Sequence, residues 1–474
     1  MSAIRQLLEL ITQSVEALED ACQSSRTAIP DLQKPFAPSS EDFRQIPAAA
    51  EAAAIISAAA LQLDAILAHP SVSLYRIVGG HFKSAALRIC LESNVTEILI
   101  LKGIHVKEIA AKNGQDPQKL ARCIRYLATH HFYREIKPNV FANTRISSML
   151  NTGKSIQDIL ANPEEKHEKT LGVAALAAHH LDEAFKASAY AWETLADPAT
   201  VRSGDPEASP FARAMGRPET LWKYYERPEG GLKHRRFNIG MQGIEALQPP
   251  DAILQVYQWN SLAPNSIIVD VGGGVGTSCL TLAAKYPMLK FVVQDRDQVI
   301  VKAKELWNTK MPTATASGQV KLESHDFFKP QPQTTASVFL LKQIMHDWSD
   351  EYCVKILTQL WEAATPTTTL LLMDSIIPLA CHDPNAEGPN AIPGACTKEA
   401  PTPLLANYGG ANDMVYNADF DMFLLFNSQE RTLTQFVDLL TRTGWKITAV
   451  NRQPGDSSFL QSIEAKKDQV KSVI

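Results

Sequence analysis

The chain has 474 residues, 45% of them hydrophobic and 20% charged, with 23 Gly, 28 Pro and a formal net charge of −5. That length allows two or three domains with sizeable cores, and the composition excludes collagen-like, coiled-coil and wholly disordered classes. A slightly negative balance provides no global field to draw in nucleic acid or an anionic membrane.

Seven scattered cysteines form neither a disulfide framework nor a CxxC knuckle, which points to a reducing, cytoplasmic setting. The opening segment MSAIRQLLELITQSVEALED sets acids among its apolar residues, unlike a secretory leader. No window approaches 18 apolar residues, so no membrane span is expected.

In chain order, residues 1–22 carry helical periodicity (Ile4, Leu7, Leu8, Ile11, Val15, Leu18) and a breaker-rich linker follows over 24–47. Residues 48–67 are Ala-rich and predict a second helix, so that 1–70 forms a helical extension. Residues 71–245 read as a helical region. Within it, short helices over 106–111 and 119–129 precede two strands, 132–136 and 140–144, that flank Lys137-Pro138-Asn139 as a wing would. Residues 101–140 hold eight Lys or Arg against three acids. A winged-helix nucleic-acid binder would use that surplus, but the presumed second helix offers only Lys119, Arg122 and Arg125, and a solvated or partner-facing surface explains it as well.

From about residue 246 to 474 the pattern changes to short apolar runs alternating with helical segments, which implies a largely parallel sheet. Thr432 and Gln435 can form a capping box for a helix that ends near Gly444. Runs over 446–450 and 457–463 predict a final antiparallel pair at the sheet edge. Residues 377–410 contain six Pro and four Gly in 34 positions. A loop of that length following a strand end is a candidate cover for a site.

The run IIVDVGGGVG at 267–276 is an apolar strand entering a glycine turn, and Asp295 stands 19 residues beyond Gly276 at the next strand end. A dinucleotide fingerprint requires G-x-G-x-x-G, yet Thr277 occupies the sixth position and the spacing is G-x-G-x-G. That favours a nucleoside ligand without a diphosphate. Asp270 would repel diphosphate and attract an ammonium, as S-adenosylmethionine carries, while Asp295 could accept from both ribose hydroxyls. NAD, or glycine serving packing alone, are the alternatives. At a third strand end, Asp326 and Phe327 could meet an adenine amino group and its face, unless they form only a turn.

In LLKQIMHDWSDE, His346 leaves a strand just before a helix and could take a proton from an attacking hydroxyl. Metal binding is the competing chemistry. His325, Asp326, His346 and Asp347 have the ligand atoms, but no H-x-x-x-H or H-E-x-x-H spacing occurs, and the adjacent pairs His130-His131 and His179-His180 diverge on helices. No metal is expected.

These motifs (DVGGGVG, VVQDRD, HDFF, LKQIMHDWSDE, MDSIIP, NSQERT), with SPFARAMG, YYERPE and RFNIGM upstream, resemble the S-adenosylmethionine-dependent small-molecule O-methyltransferases of the caffeate type, in their fungal secondary-metabolite form. The resemblance implies an α/β fold, with a Rossmann-like seven-stranded sheet behind a mainly helical, winged-helix-like dimerisation domain. It assigns Asp270, Gly272, Gly273, Gly274, Asp295, Asp326, Phe327 and Lys342 to the cofactor, whose product is S-adenosylhomocysteine. His346 becomes the general base, flanked by Asp374 and Glu430, although Glu is the commoner residue where Asp374 stands. Phe237, Asn238, Met241 and Asp347 would face a small-molecule acceptor. The expected assembly is a homodimer without nucleic-acid or membrane partners. A relative that keeps the cofactor pocket but catalyses pericyclic, dehydration or decarboxylation chemistry would carry much of the same signature.

Overall fold

A computed structural model describes residues 1–99, 102–246, 251–388, 391–452 and 460–468. The chain falls into two units: Met1–Ala196 with Pro210–Pro249, and Asp197–Ser209 with Pro250–Ile474.

In the first unit, helix Ala3–Ser25 packs against helix Pro47–Leu67 through Leu18, Cys22, Ala49 and Ala52, with Phe43 between them. The expectation that no segment could span a membrane needs correcting at this second helix: Pro47–Leu67 is long and apolar enough by length and composition. Its many alanines make it so. They raise hydropathy without the bulky side chains that mark an apolar core by eye.

Strands β1 (Ile104–His105), β2 (Tyr133–Lys137) and β3 (Val140–Asn143) form an antiparallel sheet in the order β1–β3–β2. Helices Val106–Asn113 and Pro117–Thr129 share its core through Ile109, Leu120, Ile124, Tyr133 and Phe141. Asp116 caps the second helix by accepting from the N–H groups of Gln118 and Lys119. Arg125 does not extend freely from that helix. Its guanidinium donates to both Glu135 oxygens at 2.9 Å and to Asn139 of the wing turn. Further on, helices Val173–His179 and Gly231–Ala246 approach closely, because a Cβ on Gly172 would strike the Ile239 carbonyl and one on Gly240 the Leu176 backbone.

The second unit is built on seven strands: β4 (Ile267–Val271), β5 (Lys290–Asp295), β6 (Val320–Ser324), β7 (Val338–Lys342), β8 (Thr369–Asp374), β9 (Trp445–Asn451) and β10 (Gln461–Lys467). Their order is β6–β5–β4–β7–β8–β10–β9, and β10 alone runs against its neighbours. Alternate residues serve opposite layers. Val269, Phe339, Leu341, Leu370 and Leu372 pack toward helices Asp350–Ala363 and Leu433–Arg442. Ile268, Val293, Leu340, Leu371 and Met373 pack toward helices Thr277–Lys285 and Asp297–Lys310.

The strand order reverses at β4, so the connections after β4 and β7 diverge and leave a crevice at the carboxyl ends of the strands. The capping box of Thr432 and Gln435 is present. The expected antiparallel pair at the sheet edge is present as β9 and β10, although the later strand, β10, takes the inner place beside β8 and leaves β9 outermost on that side. Residues 457–459 of that expected strand lie outside the described residues. Helix Met414–Phe426 was not foreseen; its apolar residues surround it with no clear polar face. Residues 391–396 of the long loop run beside β9, where the Val450 N–H donates to Pro393 O and Arg452 donates to the carbonyls of Gly394 and Ala395. This part of the loop covers an exposed strand edge.

Candidate active site

The turn after β4 is sterically determined. Gly272 and Gly274 take φ values of 70° and 59°, and a Cβ on Gly273 would fall 2.5 Å from the Asp270 carboxyl carbon. Gly274 faces open space, and its N–H donates to Asp295 Oδ2 at 2.9 Å. Asp295 Oδ1 accepts from the Arg296 N–H at 2.7 Å, so the acid is locked against the glycine turn. Burial pushes its carboxyl pKa up. Burial also pushes Asp270 up to about 6, opposed by the thiol of Cys279, which donates at 3.4 Å, and by the charge of Lys342. Gly276 has another purpose: a Cβ there would lie 2.8 Å from Trp307 Nε1, so helix packing accounts for the last glycine of the motif.

Asp326 is exposed and its Oδ1 accepts from the Phe328 N–H at 3.0 Å, closing a turn. Phe327 packs edge-on against Phe328 and Trp348, with ring centroids at 4.9 and 5.9 Å. A Cβ on Gly272 would lie 3.5 Å from the Phe327 ring.

His346 sits on the short turn Met345–Asp347 between β7 and helix Asp350–Ala363. Its Nδ1–H donates to Glu430 Oε1 at 2.8 Å, and Asp347 Oδ1 stands 3.6 Å from Nε2. Burial alone would lower the imidazole pKa, but the charges of Glu430 and Asp347, together with the Glu430 hydrogen bond, outweigh it and push it up to about 10. Asp347 is pushed up to about 6 by burial.

Asp374, at the end of β8, makes no hydrogen bond to the ring. Both its oxygens are buried without a partner, and burial pushes it up to about 7. Aspartate is one methylene shorter than glutamate. Its charge acts on the imidazole while its oxygens stop short of it. The two carboxylates nearest the ring nitrogens are therefore Glu430 and Asp347.

Three residues around this site had no place in the sequence expectations. Ser428 Oγ donates to the His346 carbonyl at 2.6 Å, Asp419 accepts from the Glu430 N–H at 2.8 Å, and the Arg431 guanidinium is 1% exposed beneath the His346 turn. Arg431 adjoins Glu430 in NSQERT, but nothing in a sequence separates a buried arginine from a surface one.

In the first unit, Phe237 is buried in an aromatic group with His179, Trp222 and Tyr225, at centroid distances of 5.1, 5.6 and 5.4 Å. Asn238 and Met241 on the same helix are partly exposed. Beside them the His179 ring shares its Nδ1 with Glu183 at 3.1 Å and with the Tyr225 hydroxyl at 3.3 Å. Among the described residues no group of three or more His, Cys, Asp or Glu could hold a metal ion.

Residues 192–391 match the family model of the O-methyltransferase domain. The 4-O-methyltransferase 1 of Phanerochaete chrysosporium is 51% identical over 469 residues, covering 98% of this chain and 99% of that protein. The chain belongs to the S-adenosylmethionine-dependent O-methyltransferases. Its fold is shared with a mitomycin 7-O-methyltransferase (22% identity, TM-score 0.60, 84% of this chain and 97% of that one). It is also shared with a pericyclic reaction enzyme (17% identity, TM-score 0.65, 97% of this chain and 100% of that one).

The family's methyl donor fits the residues present. Gly274 leaves open space beside a carboxylate whose oxygens retain lone pairs for hydroxyl donors. Asp270 and Asp295 at one mouth suit a cationic amino acid with a vicinal diol, and would repel a diphosphate.

Proposed function

We propose that this O-methyltransferase methylates a phenolic or enolic hydroxyl of a small aromatic or polyketide-like metabolite, with His346 as general base. The observation that carries the reading is the half-buried imidazole whose Nδ1–H is engaged by Glu430 at 2.8 Å, which leaves Nε2 to take a proton. Gly272, Gly273, Gly274, Asp270, Asp295 and Lys342 would hold the cofactor, with Asp326 and Phe327 at its adenine. When bound, S-adenosylmethionine supplies a methyl group made electrophilic by its sulfonium. The chain's tasks are then to align the acceptor oxygen, exclude water and remove one proton.

An imidazole pushed up to about 10 matches an ordinary phenol, whose pKa is also about 10, so the proton moves between them with little free-energy cost. Phenol meeting neutral imidazole and phenolate meeting imidazolium are the same species in proton count. Asp347, 3.6 Å from Nε2, would shape acceptor choice.

Incubating phenolic and enolic acceptors with methyl-labelled cofactor should yield labelled product, and His346→Ala should reduce turnover by about a hundredfold or more. Conversion of the natural acceptor without gain of a methyl group would favour the rival that shares this fold, pericyclic chemistry with a retained cofactor. In titration calorimetry, Asp295→Ala should weaken S-adenosylhomocysteine binding about tenfold, as expected on losing paired hydroxyl contacts. Unchanged affinity would remove Asp295 from the site.

The protein is further proposed to be a cytoplasmic homodimer. Helix Pro70–Val78 buries none of its residues, and Val72, Leu74, Tyr75, Ile77, Val78 and nearby Phe82 are exposed, an apolar face that suits a second copy. Light scattering should report about twice the 52.1 kDa chain mass. A winged-helix nucleic-acid binder would instead give a salt-dependent shift of random duplex. No shift is expected, since Arg125 is already engaged by Glu135.

A further inference from the structure

We infer that Arg431 is a positioning residue that sets the distance between the general base and its carboxylate, an inference resting on the reading of His346 as that base. The guanidinium is 1% exposed and reaches both sides of the histidine turn. Its Nη1 donates to Met345 O at 2.7 Å and its Nη2 to Trp348 O at 2.8 Å, so the two carbonyls bracketing His346 and Asp347 rest on one planar group. Nε and Nη2 also donate to Asp350 Oδ1 at 3.0 and 2.8 Å, which offsets the buried charge and ties in the start of the following helix. Cys353 supports the same turn from below. Its thiol contacts Met345 O and Trp348 O at 3.3 Å, and Nη2 reaches the sulfur at 3.5 Å.

The backbone of Arg431 extends this bracket to a third segment. Its carbonyl accepts from the Ile377 N–H at 3.0 Å, and Ile376 and Arg431 form a parallel bridge just beyond Asp374. Arg431 thus joins the turn bearing His346, the segment bearing Glu430 and the segment leaving β8. Because it directly follows Glu430, a shift of the guanidinium would move the Glu430 carboxylate relative to a ring it now meets at 2.8 Å. Ser428 fastens the same two segments from the other side, through the His346 carbonyl. A lysine could retain the charge, but a single ammonium cannot span both carbonyls and the carboxylate in the planar fork that arginine provides.

The test is Arg431→Lys. It should lower kcat about tenfold while KM for the acceptor and affinity for S-adenosylhomocysteine change by less than about twofold. It should also move the acid limb of the kcat–pH profile to lower pH, because an imidazole released from Glu430 returns toward its ordinary value. A purely structural role would lower the amount of folded enzyme without moving that limb. Should Arg431→Lys fail to fold, Asp350→Asn removes the guanidinium's outer anchor and Ser428→Ala the opposite fastening; each should lower kcat about threefold at unchanged KM. Unaltered kcat and pH profile in the folded variants, with His346→Ala inactive, would overturn the role of Arg431 alone. Full activity in His346→Ala would instead overturn the base.

Discussion

Each unit of this chain sets an imidazole with its Nδ1 on a buried glutamate, and the two pairs differ in what surrounds the carboxylate. In the first unit His179 and Glu183 are four residues apart on one helical stretch, and Glu183 also accepts from Arg236 Nη2 at 2.5 and 2.7 Å. Neighbouring Asp182 is paired with Arg88, Lys186 and Lys233. The glutamate charge is therefore already committed to a cation. In the second unit Glu430 is 84 residues from His346, its Oε2 has no partner, and the adjacent Arg431 directs its guanidinium to backbone carbonyls. Its charge acts on the ring. The same two side chains form a structural pair in one place and, on the function proposed for His346, a tuned base in the other, depending on whether a cation claims the carboxylate.

The largest expected contrast comes from removing each imidazole. His346→Ala should cost about a hundredfold or more in kcat, whereas His179→Ala should lower the melting temperature and leave kcat per folded molecule within about threefold. A comparable loss of kcat in both would erase the distinction. Next, Glu430→Gln should lower kcat about tenfold and shift the acid limb of the rate profile downward, since the carboxylate that raises the imidazole is gone. Glu183→Gln should act on stability instead, by roughly 1–3 kcal/mol, because Arg236 loses the closer of its two carboxylates and keeps only Asp182 at 3.3 Å.

A pH series sharpens the same point without mutation. With the imidazole pushed up to about 10, kcat/KM for an ordinary phenol should climb about tenfold per pH unit through neutrality, and a more acidic acceptor should move that limb to lower pH. A limb fixed near 6.5 for every acceptor would show a ring unaffected by Glu430 and Asp347.

The smallest effect is expected at Asp374. Its folded pKa lies above that of the unfolded chain, so the folded state holds the extra proton and stability should fall as pH rises from about 4 to about 7. Asp374→Asn should flatten that decline, measured as melting temperature against pH, and change kcat by less than about threefold. A much larger kcat loss would mean that Asp374 reaches the ring during turnover.

Much of the chemistry was legible in the chain because it depends on local order. The apolar runs determine alternating strands and helices, the glycines of DVGGGVG are required by a turn folded over Asp270, and His346 has to emerge where β7 ends. Residues 132–144 likewise specify a hairpin through their own turn. What the linear order could not decide is which distant groups share a carboxylate. Asp374 and Glu430 look equivalent as acids following apolar segments, yet only Glu430 meets the ring, since one methylene and the path of the 428–431 segment decide the approach. The insertion of β10 between β8 and β9 is also a tertiary outcome, because alternation specifies a strand's faces but not its neighbours. Burial acts in the same way on charge: Asp347 and Asp374 acquire raised pKa values, and Arg431 its bracket of carbonyls, only when segments far apart in sequence close around them and exclude water.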